Sequence, residues 1–130
     1  MRNLIIEATK YSPKVILDKD MKYFEISGMS RPENVLKFYT PIIEWIKSYL
    51  QEANSEMVLN FRMQYFNTAT SKMLLSIVAE LEKAKENERY VEVLWSYEKG
   101  DEDMKEAGEE FQEIVNLPFS IIESTDDFSH

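Results

Sequence analysis

Between Met57 and Leu81 the apolar residues change their spacing without any intervening glycine, and this change calls for a strand that runs directly into a helix. Leu59, Phe61, Met63 and Tyr65 alternate with Asn60, Arg62 and Gln64, which places one apolar face of a strand on a core. From Thr70 onward, Met73, Leu74, Ile77, Val78 and Leu81 fall on a single helical stripe. The corner between them, Asn67-Thr68-Ala69-Thr70-Ser71, is a run of short side chains in which an amide or hydroxyl oxygen can accept a backbone N–H that has no partner inside the helix. Either Asn67 or Thr68 can serve as that cap. On the residues alone, capping is the simpler reading of the cluster.

The remaining elements arrange themselves around this unit. Leu4 to Ala8 predicts a first short strand. Val15–Leu17 and Tyr23–Ser27 predict a hairpin closed by the polar turn Asp18-Lys19-Asp20-Met21. Asp18 and Asp20 read as turn formers, since Met21-Lys22-Tyr23 supply neither the further oxygen ligands nor the glycine of a calcium loop. Ser30-Arg31-Pro32-Glu33 has the spacing of a capping box, so a helix is expected from Ser30 to about Gln51, kinked at Pro41 but with its apolar stripe in phase. Tyr90–Trp95 predicts a fifth strand with Trp95 in the core. Gly100-Asp101-Glu102-Asp103 opens a third helix whose inward residues are Met104, Ala107, Phe111, Ile114 and Val115. A last strand follows at Pro118–Ile122. The order βββαβαβαβ describes an open mixed α/β sheet carrying three helices, a single domain over residues 1–123, with 124–130 as a polar tail expected to fray.

The composition narrows the chemistry. No cysteine is present, which removes disulfides, thiolate metal sites and cysteine nucleophiles, and the one histidine is His130, in the tail. Gly28, Gly100 and Gly108 are scattered, so no phosphate-cradling loop forms. The 24 acidic residues single out no catalytic pair, and the reading is of a non-enzymatic chain with no catalytic residue, metal or cofactor. A net charge of −9 opposes nucleic acid and anionic lipid, and no apolar run suits a leader or membrane span, so a cytoplasmic address is expected. A basic protein surface would be attracted instead. Tyr39, Trp45, Met63, Tyr65 and Phe66 read as core or core edge.

The segment Tyr65-Phe66-Asn67-Thr68-Ala69-Thr70-Ser71-Lys72, together with Pro32-Glu33-Asn34 behind an apolar strand ending in Gly28 and Ser30, resembles the SiaC-type regulatory phosphoproteins over nearly the whole chain. The resemblance implies a STAS-like fold and a threonine that a cognate kinase phosphorylates and a phosphatase restores, the unmodified form binding a diguanylate cyclase in cyclic-di-GMP signalling. Residue 69 is Ala where the family more often has a hydroxyl, which leaves Thr68 as the best match, with Thr70 and Ser71 behind it. By the same resemblance Tyr65, Asn67, Lys72, Pro32, Glu33 and Asn34 are the partner-binding residues. Two rival readings stand beside it: a small ligand-binding module or enzyme with a carboxylate-lined cleft, and a constitutive interaction domain whose hydroxyls only cap a helix. An accessible Thr68 favours the first reading, a concave polar pocket the second, and a buried or fully capped cluster the third.

Overall fold

The computed structural model covers residues 1–130. Six strands, β1 (Leu4–Ile6), β2 (Lys14–Asp18), β3 (Tyr23–Ser30), β4 (Glu56–Phe66), β5 (Tyr90–Glu98) and β6 (Phe119–Ser124), lie side by side in chain order. The first three are antiparallel, and from β3 to β6 all pairings are parallel. The crossovers are helices: α1 (Val35–Gln51), α2 (Thr68–Glu86) and α3 (Glu102–Ile114). Successive parallel strands in chain order, joined by right-handed crossovers, carry their helices on one face of the sheet. This is the expected open mixed sheet, and β4 is interior, flanked by β3 and β5.

The core lies between that face and the helices. Met57, Leu59, Phe61 and Met63 of β4 are fully buried there, as are Leu74, Ile77 and Leu81 from the stripe of α2. Trp95 of β5 is the hub, touched by the rings of Phe61, Phe66, Phe111 and Phe119, and its indole N–H donates to the Met104 carbonyl. Gly108 of α3 lies directly against that indole: a Cβ there would come within 2.6 Å of Nε1.

Four expectations are corrected. Ser30 does not open a helix. It is the last residue of β3 and fully buried, while Asn34 caps α1 by accepting the Lys37 N–H at 3.0 Å. Pairing with β4 wins over the local capping box because it uses the Ser30 backbone and buries its hydroxyl. Secondly, Tyr65 is not inward. The register steps from Gly28↔Met63 to Met29↔Tyr65, leaving Gln64 over, and one extra residue inverts the alternation. Phe66 therefore reaches Trp95, and Tyr65 is 48% exposed. Thirdly, Ile114 is 65% exposed rather than inward; of the expected inward residues Met104 and Phe111 are buried, and Ala107 and Val115 are partly buried against the core.

The fourth correction concerns the tail. Phe128 is buried, and Arg62 lies over its ring at 4.5 Å while pairing with Asp126 at 2.9 Å. Helix α1, by contrast, continues unbroken through Pro41, as its in-phase stripe requires. The hairpin turn is also as expected, with Asp18 Oδ1 accepting the N–H groups of Asp20 and Met21.

Candidate functional site

Two parallel strands, β3 and β4, end side by side, and both sequence blocks singled out above begin where they end. The Asn67 N–H donates to the Ser30 carbonyl at 3.2 Å, which joins the two blocks. Asn67 has extended backbone and caps α2, its side-chain oxygen accepting the Thr70 N–H at 2.9 Å. This settles which residue caps: Asn67 does, and the Thr68 hydroxyl is left without a bonding partner on the first residue of the helix, exposed. No acidic residue occupies the first turn of α2, whereas α3 has Glu102 and Asp103 there.

Thr70 has the opposite environment. It is fully buried, and its Oγ1 lies 3.0 Å from Ser30 Oγ and donates to the Ser30 carbonyl at 3.2 Å. Ser30 Oγ is in turn 2.6 Å from the Tyr39 hydroxyl. These three hydroxyls form a closed buried cluster that ties β3, α1 and α2 together. Burial pushes Tyr39 up to about 12, against the neighbouring Ser30 and Thr70 hydroxyls, which favour its ionised form. Ser71 is half-buried and lines a cavity of about 170 Å³ with Phe66, Leu75, Phe111 and Ile114.

The structure thus gathers most of the predicted site residues at the C-terminal ends of β3 and β4. Tyr65, Thr68 and Lys72 are exposed, and Asn67 is occupied as a cap. Glu33 and Asn34 are exposed and Pro32 half-buried. The last three line a separate cleft of about 540 Å³ with Thr9, Tyr11 and Lys37. Glu33 is the only carboxylate among its lining residues, so the largest cleft is not the carboxylate-lined one that the ligand-binding or enzyme reading requires. No group of three or more His, Cys, Asp or Glu residues is placed to hold a metal, and no helix is long and apolar enough to cross a membrane.

Sequence reasoning missed Leu75 and Ile114, apolar residues 38% and 65% exposed that extend the corner into an apolar surface. A usable signal existed for Leu75, which stands beside the inward stripe of α2 rather than on it. The partnership of Ser30 with Tyr39 and Thr70 had no local signal, since the residues lie 9 and 40 positions apart.

Residues 6–124 match the family described as SiaC family regulatory phosphoprotein. The chain belongs to the SiaC family. This SiaC-family protein is 31% identical over 121 residues to an uncharacterised protein of Pseudomonas aeruginosa strain UCBPP-PA14, an alignment spanning 93% of this chain and 96% of that one. Its fold superposes on the crystal structure of apo-SiaC from Pseudomonas aeruginosa with a TM-score of 0.85 at 28% identity, covering 94% of this chain and 99% of the other. A chain in the crystal structure of the diguanylate cyclase SiaD in complex with its activator SiaC, from the same organism, gives a TM-score of 0.89 at 30% identity, covering 93% and 99%. The resemblance carried by the corner motif is therefore a family relationship, and the SiaC-family protein described here is a regulatory phosphoprotein by family.

Proposed function

We propose that the chain is a non-enzymatic switch: phosphorylation of Thr68 by a cognate kinase, reversed by a phosphatase, gates its binding to a diguanylate cyclase. The observation that carries this reading is the division of labour among the corner hydroxyls. Thr70 is buried and committed to Ser30, whereas Thr68 is exposed and has no bonding partner. A kinase must reach the hydroxyl it modifies, and of the three Thr68 is exposed, Ser71 half-buried and Thr70 fully buried.

The chemistry of the position suits a reversible charge. A phosphate there brings about −1.5 to −2 charge to a helix N-terminus, where free N–H groups and the helix dipole accept it. Exposed Lys72 stands one turn along. Folding should be nearly indifferent to the modification. A partner seated on Tyr65, Leu75 and Ile114 would instead meet a new, strongly hydrated charge in its contact area. The assignment of the partner as a diguanylate cyclase rests on the SiaC relative, described as the activator in the SiaD complex. Any nucleotide chemistry then belongs to the partner.

The test combines site mapping with binding. Protein treated with its kinase should carry one phosphate, on Thr68, and lose a diguanylate cyclase in pull-down, while Thr68→Ala keeps it under the same treatment. Thr68→Glu should weaken binding, less completely than phosphate because it has fewer acceptor oxygens. Phosphate mapped to Ser71, or loss of the partner by kinase-treated Thr68→Ala, would overturn the proposal.

A further inference from the structure

The helix-free face of the sheet is not bare. Arg62 projects from the middle of β4 opposite Ser27 of β3, and both are contacted by the segment that follows β6. Asp126 pairs with Arg62 at 2.9 Å, and the Phe128 ring lies 4.5 Å from the same guanidinium and is 2% exposed. His130 Nε2 lies 2.8 Å from Ser27 Oγ, and Ser27 Oγ also donates to Glu25 at 3.0 Å. Asp127 folds the segment locally by accepting the Ser129 N–H at 2.8 Å. An aromatic ring buried on a guanidinium, with an ion pair on one side and a hydrogen bond on the other, is a built contact rather than a resting place for a loose end.

The contact also falls on a sensitive point of β3. Gly28 has φ of +101°, and the His130 ring stands where a side chain at residue 28 would be, 2.8 Å from its Cβ position. Between Gly28 and Met29 the β3/β4 register shifts. Immediately beyond lies Ser30, whose carbonyl accepts the Asn67 N–H and whose hydroxyl holds Thr70 and Tyr39.

We propose that Arg62, Ser27 and Gly28 form a docking site for an Asp-x-Phe segment, filled in cis by Asp126–His130, and that this strap holds β3 against the β4 bulge at Gln64 in the register that supports the Asn67–Thr70 corner. The strap and the corner lie on opposite sides of one short stretch of β3, so ordering either favours the other by linkage. Arg62 is the anchor because it is the one group that satisfies both an acidic and an aromatic residue, with Glu25 at 3.9 Å fixing its orientation from behind. This reading stands on the tail's own contacts and holds whether or not Thr68 is modified.

Amide hydrogen exchange on the full chain tests it. The Asn67 amide, which donates to the Ser30 carbonyl, should be protected in the intact protein. Phe128→Ala should accelerate exchange at the Asn67 amide by about tenfold or more, while amides of α3 change little. A chain ending at Ser124 should show the same acceleration, and a synthetic Thr125–His130 peptide should reverse it saturably, whereas the peptide carrying Phe128→Ala should not. Should the shortened chain fail to fold, the same comparison is made on Arg62→Gln in the full chain, which removes the anchor and leaves Phe128 in place. An Asn67 amide that exchanges at the same rate with and without Phe128, or a shortened chain that the Thr125–His130 peptide leaves unchanged, would overturn the proposal.

Discussion

Replacing Thr70 by Val separates the structural hydroxyl of the corner from the exposed one. Valine keeps the branched shape and fits the same fully buried site, so packing is nearly conserved and the change removes only the hydroxyl. Two interactions go with it, the 3.0 Å contact with Ser30 Oγ and the 3.2 Å bond to the Ser30 carbonyl. The Ser30 carbonyl keeps the Asn67 N–H at 3.2 Å and Ser30 Oγ keeps Tyr39 at 2.6 Å, but the two remaining buried hydroxyls share one bond and one of their protons loses its acceptor. The cost is therefore the net worth of the hydrogen bonds plus part of the penalty of one unsatisfied buried hydroxyl, about 2 kcal/mol. Thr68→Ala, at an exposed position with no side-chain bond, should change stability by less than about 0.5 kcal/mol. Urea denaturation followed by tryptophan fluorescence measures both, and the slope with denaturant should be unchanged in each. For a domain of this size the Thr70→Val loss corresponds to a melting temperature lower by about 3–8 °C. Equal stabilities for the two variants, or a larger loss for Thr68→Ala, would refute the assignment of the roles.

Three further changes test the surrounding structure. Gly108→Ala should gain about 1 kcal/mol in helix propensity but force α3 away from a Trp95 ring fixed by four other rings, for a net loss of about 1–2 kcal/mol in denaturation. Tyr39, held neutral up to about 12 against an ordinary value of 10, contributes stability that is complete below pH 10 and lost as pH rises through 12. This is about 2–3 kcal/mol across that window, and Tyr39→Phe should flatten the alkaline fall in stability by that amount. Asn67→Ala should cost about 1 kcal/mol by leaving the Thr70 N–H without its cap, and circular dichroism should show the loss at the start of α2 as a small drop in helicity.

What the sequence by itself determined was everything governed by periodicity and local chemistry. Alternation over Leu59–Met63 and the helical stripe from Met73 to Leu81 were enough for the strand, the helix and their order, because burying one face demands that spacing whatever lies opposite. The acidic start of α3 and the hairpin turn were legible for the same reason: Asp101 and Asp18 bond to backbone groups two or three residues away. Only the tertiary structure decided the rest. Whether Ser30 caps a helix or closes a strand depends on β4 lying alongside it. Which way Tyr65 and Phe66 point depends on the single residue left over at Gln64, invisible in a pattern that alternates smoothly through it. The unlike fates of Thr68 and Thr70 depend on Ser30, 40 residues before Thr70, and the burial of Phe128 depends on an arginine 64 residues before its neighbour Asp126. These choices are made by contacts between segments distant in the chain, and no window of sequence contains both partners.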